Sequence, residues 1–339
     1  MIRKAPVPAP LALTMGEPAG VGGEIALMAW AKRRALGLPP FYMIDDPQRL
    51  AALARRIGIK VKIAPIARPA EANAAFASSL PVLAVRLAKA VEAGQPSPNN
   101  GPCILQSMDM AVDAALSGGA SAVVTNPIHK ETLYRAGFRH PGHTEYLAER
   151  TGAGASVMML VVPGLRVVPV TVHLALKDAL AGLTSEKIVA CGRIAAAALK
   201  RDFGLKRPRL AVAGVNPHAG ESGALGREEI DIVRPAVEQL RALGITVTGP
   251  EPADTMFHRA ARRGYDAAIC MYHDQALVPL KTIDFFGGVN VTLGLPIVRT
   301  SPDHGTAFGI AGTGTARPDS LIAALKLAAK LAAQRQVSA

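Results

Sequence analysis

Short apolar runs alternate with Ala- and Leu-rich segments of helical spacing along almost the whole chain, and this alternation constrains the fold more than any other feature. The runs that predict strands are Leu11–Met15, Phe41–Ile44, Ala120–Thr125, Ser156–Val162, Arg166–Val172, Arg209–Val215, Asp266–Tyr272 and Val289–Thr292. The segments that predict helices are Glu24–Ala35, Pro47–Gly58, Leu80–Ala93, Gln106–Ser117, His143–Arg150, Thr184–Phe203, Arg227–Leu243, Thr255–Arg263 and Ser320–Ala333. Strands separated by helices form βαβ units, so the sequence predicts an α/β fold with a largely parallel sheet.

The size and charge of the chain narrow the function classes. With 339 residues, 50% of them hydrophobic, the chain is long enough for two lobes rather than one. The net charge is +12, yet the Lys and Arg residues are dispersed and aromatic residues make up only 4%. This pattern predicts a solvated basic surface that attracts small anions. A non-catalytic binder of anions or nucleic acid, built on an enzyme fold, is the alternative from another class.

The cysteines and the apolar stretches predict a cytoplasmic protein. Cys103, Cys191 and Cys270 are far apart and form no CxxC pair, which is typical of reduced, buried thiols. The first ten residues, MIRKAPVPAP, lack the apolar core of a signal peptide. The stretch 155–176 is interrupted by Pro163, Gly164, Arg166 and Pro169, so it predicts two strands rather than a membrane span.

Three of the eight histidines follow directly after predicted strands. They are His173, His218 and His273, and an acidic residue follows each within a few positions: Asp178, Glu221 and Asp274. In open α/β sheets, ligands gather beyond the carboxyl ends of the strands. Three neutral imidazoles that leave one position open form a common catalytic metal site. The spacing is long and irregular, unlike HExxH, so three separate loop histidines with ordinary hydrogen bonds are the other interpretation.

Candidate anion-binding residues occur in two further segments. In GHTEYLAE, Thr144 resembles the N-cap of a helix, and His143 beside it adds a donor to a helix start that suits anions. Simple capping is the alternative for Thr144. The segment LKTIDFFGGVNVTLGLPIVRTS is apolar and Gly-rich apart from Lys281, Asn290 and Arg299. Arg binds a carboxylate or phosphate with two parallel hydrogen bonds, whereas Lys supplies a point charge.

Two Gly-rich loops are candidates for a cofactor site. The first, MGEPAGVGGEI at residues 15–25, lacks the last glycine of GxGxxG and the GK[ST] of a P-loop, so neither nucleotide motif is present. The second, SPDHGTAFGIAGTG at residues 301–314, has glycines that allow a ligand to approach the backbone closely. An ordinary surface loop is the alternative there.

These motifs together resemble the 4-hydroxythreonine-4-phosphate dehydrogenase (PdxA) family. From about residue 11 to residue 330, the chain carries in order GEPAGVGGE, TNPIHK, GHTEYLAE, the His173 segment, NPHAGESG, PADTMF, MYHDQALVPLK, NVTLGLPIVRTS and DHGTA. The resemblance implies a two-lobed fold similar to isocitrate and isopropylmalate dehydrogenases, which bind NAD without GxGxxG. We expect the first lobe to comprise residues 1–126 and 300–339, and the second lobe residues 127–299. The resemblance also implies a homodimer with its active sites near the subunit interface.

The resemblance assigns roles to individual residues. It implies a divalent metal (zinc, cobalt, magnesium or manganese) shared between dimer partners and bound by His173, His218 and His273. It implies substrate contacts from His143, Thr144, Lys281, Asn290 and Arg299. The loop from Asp303 to Gly314 is similar to the adenosine-side NAD loop of the related dehydrogenases, with Asp303, His304, Gly305, Thr306 and Gly312 as its candidate contacts.

The implied reaction is the NAD-dependent oxidation of 4-phosphooxy-L-threonine to a β-keto acid, which decarboxylates to 3-amino-2-oxopropyl phosphate in pyridoxal phosphate synthesis. NADP is the alternative cofactor. Asp274 and Asp254 are both candidate general bases, and Asp274 is equally a candidate for orienting its neighbouring histidine. Lys281 completes the predicted catalytic set. Paralogues that oxidise threonate or erythronate phosphates, or aromatic cis-dihydrodiols, share the metal residues and remain alternatives.

The chain departs from the family pattern at two positions. Gly23 stands where the family usually has Pro, and Gly309 stands where it usually has an acidic residue. We expect the missing carboxylate at residue 309 to affect cofactor contacts or the shape of the loop.

Overall fold

The computed structural model describes residues 8–338, in two compact units. One unit comprises the chain up to Gly154 together with Leu295–Gln336, and the other comprises Ala155–Gly294. Most of the N-terminal segment that was tested for a signal peptide lies outside the described residues. No helix within the described range has both the length and the apolar character needed to span a bilayer.

Twelve strands are found in the described residues: β1 (Leu11–Thr14), β2 (Phe41–Asp45), β3 (Ile63–Ile66), β4 (Leu80–Ala84), β5 (Ala122–Val124), β6 (Val157–Val162), β7 (Leu165–Pro169), β8 (Arg209–Ala213), β9 (Thr246–Glu251), β10 (Ala267–Cys270), β11 (Val289–Leu293) and β12 (Arg299–Pro302). The α-helices of the same range are α1 (Gly22–Ala31), α2 (Arg33–Leu36), α3 (Pro47–Arg56), α4 (Ala72–Ala75), α5 (Gly101–Leu116), α6 (Lys130–Arg135), α7 (His143–Arg150), α8 (Leu176–Ala181), α9 (Ser185–Arg201), α10 (Arg234–Ala242), α11 (Ala253–Met256), α12 (His273–Ile283) and α13 (Asp319–Ser338).

The first unit contains a parallel sheet in the order β3-β4-β2-β1-β5-β12. Its central strands β1, β2 and β5 are mostly apolar and fully buried, as expected for parallel strands covered on both faces. Met15, Tyr42, Ile44, Ile104 and Met108 belong to the core between this sheet and α5. Helix α3 begins where Asp46 caps it, because the side chain accepts hydrogen bonds from the backbone N–H groups of residues 48 and 49.

The second unit contains a mixed sheet in the order β11-β6-β7-β10-β8-β9. Strands β7, β10, β8 and β9 run parallel, whereas β6 is antiparallel to both β7 and β11. Its core includes Leu160, Val167, Ala211, Ala268 and Leu280. The predicted α/β class with a largely parallel sheet is therefore confirmed.

Two predicted helices and several boundaries are wrong. Of the helix predicted over Thr255–Arg263, only the first two residues belong to an α-helix, α11. Residues predicted as a helix over Leu80–Ala93 instead begin with β4, which pairs with β2 and β3. Leu80 and Val82 are fully buried, as expected for a strand inside the sheet. The apolar run is too short for its periodicity to distinguish a strand from a helix. Strands β3, β9 and β12 were not predicted. Helix α12 was also missed, because the polar residues after β10 indicated only the end of a strand.

The boundaries between the units differ from the predicted lobes. The segment 127–154 belongs with the first unit because α7 packs on α5: Arg150 Nε lies 2.9 Å from Asp109 Oδ1, and the Tyr146 hydroxyl donates to the same oxygen. Arg299, expected at the end of the second lobe, begins β12 beside β5 in the first unit. As a result His143, Thr144 and Arg299 all belong to the first unit.

Candidate functional site

The three predicted metal-binding histidines follow three strands that are neighbours in the second unit. β10 pairs in parallel with β7 on one side and with β8 on the other, so the carboxyl ends of all three strands lie at the same edge. His173 follows β7, His273 follows β10 and His218 follows β8. We call this edge with its three side chains the histidine edge. The shared placement that the sequence predicted is thus present in the sheet.

His173 and His273 lie close together at this edge. Their ring centroids are 5.9 Å apart, and both line a pocket of about 250 Å³ with Thr171 and Tyr272. Nδ1 of His273 lies 2.7 Å from Oδ1 of the adjacent Asp274. A carboxylate only accepts, so Nδ1 donates in this contact, and in the neutral imidazole the lone pair is then on Nε2. This is the arrangement in which a histidine is ready to bind a metal through Nε2.

Buried hydrogen bonds connect the segments that carry the three histidines. The Thr171 hydroxyl donates to the Met271 carbonyl at 2.8 Å, which joins the His173 segment to the His273 segment. Gln275 Nε2 donates to the Gly214 carbonyl at 2.7 Å, and its Oε1 accepts from the Met271 backbone N–H at 2.6 Å. Gln275 therefore joins the His273 segment to the end of β8. The sequence motif MYHDQ contains this glutamine, but nothing in the pattern marked it as a structural connector.

His173 and His218 adopt backbone conformations that L-residues rarely occupy. Both have φ of 54°, in the left-handed region. Such a conformation costs on the order of 1–3 kcal/mol per non-glycine residue and concentrates at functional sites. Two of the three candidate ligands are held in this way. Their strained backbone is independent support for a functional histidine edge.

The donor set of the histidine edge fits a divalent transition metal, since imidazole suits zinc, cobalt or nickel better than magnesium. Within residues 8–338 of one chain, however, no group of three His, Cys, Asp or Glu side chains is arranged to hold an ion. His173 and His273 approach each other, and His218 extends from the neighbouring strand end.

The first unit contains a second candidate site, a cationic cluster formed by His143, Arg299 and Lys130. His143 is the first residue of α7, and Gly142 precedes it at the N-cap. A Cβ placed on Gly142 would lie 3.5 Å from Lys130 Cε, so the lysine passes beside the helix start. Arg299 is 3% exposed and donates through Nη2 to the Thr125 hydroxyl. A helix start flanked by two cations is suited to an anion.

The pKa values in this cluster reflect burial and like charge. Burial, followed by the positive charges of Arg299 and Lys130, lowers the pKa of His143 well below its ordinary value of 6.5. Its Nε2 is buried without a hydrogen-bond partner among the described residues. Burial also lowers the pKa of Arg299 to about 10, while the Glu145 carboxylate acts in the opposite direction. At neutral pH His143 is therefore neutral and Arg299 is charged.

Thr144 does not cap α7, contrary to the sequence prediction. The helix begins at His143, the N-cap is Gly142, and no side chain caps this helix start. Thr144 is the second helical residue and is half-buried. Its hydroxyl is therefore not used as an N-cap, which excludes simple helix capping as the role of Thr144.

The remaining predicted substrate and catalytic residues lie in the second unit. Lys281 is in the last turn of α12, with Nζ 5.2 Å from the centroid of the Phe285 ring. Asn290 lies in β11, and its side-chain oxygen is buried without a partner in the described part of the chain. Asp254 is exposed on the short helix α11, next to the loop that carries His218, whereas Asp274 contacts His273 directly.

The candidate cofactor loop, residues 303–314, folds against the first Gly-rich loop in the first unit. The Thr306 carbonyl accepts from the Val21 backbone N–H at 3.0 Å, and a Cβ on Gly20 would lie 2.8 Å from the same carbonyl. The Gly312 N–H donates to Glu24 at 2.8 Å. The Asp303 backbone N–H donates to the Ser320 hydroxyl at 2.9 Å, and His304 Nδ1 lies 2.9 Å from the Gly305 carbonyl oxygen.

The two departures from the family pattern differ in their surroundings. A Cβ on Gly309 would meet no atom within 4 Å, so a side chain there would extend into open space. A Cβ on Gly23 would lie 3.0 Å from the Arg49 guanidinium and 3.1 Å from Leu53. Gly23 is therefore packed closely against α3, whereas the loop around Gly309 has space for a side chain.

Comparisons with known proteins agree over nearly the whole chain. A family described as pyridoxal phosphate biosynthetic protein PdxA matches residues 38–328. The 4-hydroxythreonine-4-phosphate dehydrogenase of Caulobacter vibrioides is 56% identical over 334 residues, which cover 97% of this chain and 99% of that protein. The crystal structure of 4-hydroxythreonine-4-phosphate dehydrogenase from Klebsiella pneumoniae has a TM-score of 0.87 at 39% identity, covering 96% of this chain and 99% of that one.

A solved structure with a different activity in its name is also similar. The terephthalate 1,2-cis-dihydrodiol dehydrogenase from Burkholderia xenovorans LB400 has a TM-score of 0.63 at 29% identity, covering 95% of this chain and 98% of that one. The likeness to the first group is therefore stronger in both sequence and structure.

Proposed function

The chain belongs to the family of the pyridoxal phosphate biosynthetic protein PdxA, and from this premise we propose that it is an oxidoreductase that oxidises 4-phosphooxy-L-threonine with NAD. The product is a β-keto acid, which loses carbon dioxide to give 3-amino-2-oxopropyl phosphate. The observation that carries the proposal is the placement of His173, His218 and His273 at the carboxyl ends of three adjacent strands.

We propose that these three histidines hold one divalent metal ion, with zinc or cobalt preferred by the imidazole donors. A metal held there would supply a Lewis acid for the alcohol oxygen, and NAD would supply the hydride acceptor. Within the chain, Asp274 holds the proton on Nδ1 of His273 and thereby keeps Nε2 available. This contact supports the orienting role of Asp274. Asp254, exposed beside the His218 loop, is the other candidate base.

The cationic cluster supports an anionic substrate. Arg299 is buried and charged, Lys130 lies beside the helix start, and His143 is neutral with an unpartnered buried Nε2. A buried guanidinium such as that of Arg299 binds a phosphate or carboxylate more strongly than an exposed cation does. We propose that His143, Thr144 and Arg299 bind one anionic end of the substrate. Lys281 and Asn290 are assigned to substrate binding as well, and the buried unpartnered oxygen of Asn290 suits an amine or hydroxyl donor.

We propose that the loop of residues 303–314 binds the adenosine side of NAD. Its backbone is anchored on the first Gly-rich loop by the Thr306 and Gly312 hydrogen bonds, so its position is fixed before the cofactor binds. The candidate contacts are Asp303, His304, Gly305, Thr306 and Gly312. Without a carboxylate at residue 309, the loop has no acidic group there to repel a 2′-phosphate, so NADP is kept as the alternative cofactor.

A homodimer completes the proposal. The second unit exposes apolar side chains on and beside α8 and α12, where the histidine edge also lies: Leu174, Leu176, Leu180, Val278, Ile283, Phe285 and Phe286. Apolar patches of this kind mark interaction surfaces. A second copy seated there would cover the patch. We place this dimer in the cytoplasm, with no nucleic-acid or membrane partner.

The experiment that tests the proposal is an assay of NADH formation across a panel of alcohols. 4-Phosphooxy-L-threonine, threonate 4-phosphate, erythronate 4-phosphate and an aromatic cis-dihydrodiol carboxylate are compared at equal concentrations. The proposal predicts the highest kcat/KM for 4-phosphooxy-L-threonine and loss of activity on chelation. A higher kcat/KM for the dihydrodiol would indicate instead that the chain has the activity named for the Burkholderia xenovorans structure. No turnover of any alcohol by metal-loaded protein would support a non-catalytic binder.

A further inference from the structure

The loop that carries His218 follows a backbone path that only its surroundings can maintain. Residues 218–222 are all left-handed: φ is 54° at His218, 53° at Ala219, 44° at Glu221 and 57° at Ser222, with Gly220 between them at 77°. Apart from Gly220, each of these residues has a backbone conformation that is strained for an L-residue. A chain free to relax would leave this conformation. Some fixed group must therefore hold the loop.

The carboxylate of Glu229 holds the start of this loop. The residue is 1% exposed, and its Oε1 accepts hydrogen bonds from the backbone N–H of Val215 at 2.6 Å and of Asn216 at 2.7 Å. Its Oε2 accepts from Asn216 Nδ2 at 2.9 Å, and the same Nδ2 also donates to Glu228 Oε2 at 2.6 Å. Hydrogen bonds to an ionised acceptor are about twice as strong as neutral ones. Three donors from the start of the His218 loop thus converge on one buried side chain.

The loop also packs closely around this carboxylate. A Cβ on Gly220 would lie 2.5 Å from Glu229 Oε2, and a Cβ on Gly214 would lie 3.2 Å from Oε1. Glycine is needed at residue 220, because the φ of 77° and the close approach both exclude a side chain. Glu229 itself begins a π-helical turn, Glu229–Val233, that leads into α10, and such turns are frequent at functional sites.

We infer that Glu229 is a positioning residue that acts through His218. Its carboxylate holds residues 215 and 216, which fixes the left-handed path of residues 218–222 and so the place where the imidazole is presented. Glu229 contacts neither the proposed metal nor the substrate. The inference rests on the proposed function of His218 as a metal ligand, and it adds a residue that the sequence pattern did not identify.

The test compares Glu229→Gln with Glu238→Gln, an exposed glutamate on the same helical segment. Gln keeps an acceptor for the backbone N–H groups but places an amide N–H₂ towards Asn216 Nδ2, which also donates. In metal-stripped protein we expect faster hydrogen exchange at the Val215 and Asn216 amides. On titration with Co²⁺ we expect about 10-fold or more weaker binding and a changed visible absorption spectrum. Glu238→Gln should match the wild type in each measurement.

A double-mutant cycle separates positioning from general stability. If Glu229 acts through His218, Glu229→Gln should weaken Co²⁺ binding in the wild type but cause no further loss in the His218→Ala background. Equal losses in both backgrounds would overturn the inference. If Glu229→Gln does not fold, Asn216→Ala removes one of the three donors and should give a smaller loss with the same dependence on His218.

The outcomes also distinguish this inference from the proposed function. A wild-type chain that binds no Co²⁺ contradicts the proposed function. A wild-type chain that binds Co²⁺, beside a Glu229→Gln variant with the same affinity and spectrum, contradicts only the positioning role.

Discussion

The cationic cluster in the first unit and the histidine edge in the second unit hold their functional side chains by different means. Arg299 and His143 lie on a strand and at a helix start, where regular backbone places them and burial sets their pKa values. His173 and His218 lie on left-handed backbone beyond strand ends, where hydrogen bonds from other segments hold them. The main feature of the cationic cluster is thus its buried charge, and the main feature of the histidine edge is the position of its imidazole rings.

This difference predicts different consequences of mutation. Changes at Arg299 and His143 should affect substrate binding and stability together, because Arg299 is 3% exposed and Nε2 of His143 is buried. Changes at the histidine edge should affect metal binding and turnover with little loss of stability, because the imidazole of His218 is exposed. The following predictions test that contrast, from the largest expected effect to the smallest.

The largest effect is expected for His218→Ala. The variant should lose most of its metal affinity, because only His173 and His273 remain to bind the ion. It should also lose about three orders of magnitude or more of kcat, since a metal contributes several kcal/mol of transition-state stabilisation. Metal content by atomic spectroscopy and initial rates of NADH formation provide the measurement. The melting temperature should stay within a few degrees of the wild type, because the side chain is exposed. A fully active variant would remove the histidine edge from the mechanism.

Arg299→Met should raise the KM for the substrate about 10- to 100-fold, with a much smaller change in the KM for NAD. The removed side chain is a buried cation, and a charge-assisted hydrogen bond contributes about 1.5–3 kcal/mol. Steady-state kinetics with each substrate varied in turn give the two constants. Arg68→Met is the matched control, because Arg68 is 80% exposed in its side chain and should leave both constants unchanged. Equal rises in the two constants would argue against a substrate role.

His143→Gln should reduce the loss of stability that the wild type shows in acid. The folded-state pKa of His143 is well below 6.5, so the unfolded chain binds this proton more readily. Its contribution to stability is therefore present above about pH 6.5 and is lost as the pH falls from there towards the folded-state pKa. The slope is at most about 1.4 kcal/mol per pH unit for one proton. Melting temperatures of both proteins from pH 7 to pH 5 measure it, and parallel curves would contradict the prediction.

Gly309→Asp should give the smallest effect. The position faces open space, so the variant should fold normally, and the added carboxylate should lower the KM for NAD by up to about 5-fold, equivalent to about 1 kcal/mol. Gly309→Asn is the control, with the same size and no charge. If neither variant changes the KM for NAD, the departure at residue 309 has no bearing on cofactor binding.

The sequence predicted the parts of this architecture that depend on local pattern. The strands before His173, His218 and His273 were visible as apolar runs, and parallel strands necessarily present their carboxyl ends at one edge. These two features are sufficient to predict the histidine edge. The sequence also identified His143 and Arg299 as candidate anion-binding residues, and both belong to the first unit.

The parts that the sequence did not predict depend on contacts between distant segments. Gln275 joins two strand ends and Glu229 holds the His218 loop, yet each resembles an ordinary polar residue of a helix in the sequence. The helix predicted over Leu80–Ala93 failed because a five-residue apolar run fits a strand buried between two others equally well. Left-handed φ at a histidine has no signal in the sequence at all, since only Gly indicates that conformation reliably.

The most direct test of the account is the titration of metal-stripped protein with Co²⁺, followed by both absorption and NADH formation. We expect the visible spectrum of Co²⁺ bound to histidine, saturation at one ion per chain or one per shared site of the dimer, and activity that rises in proportion to bound metal. Full activity in protein that exhaustive chelation has freed of metal would contradict the central claim that the three histidines serve the oxidation through a bound ion.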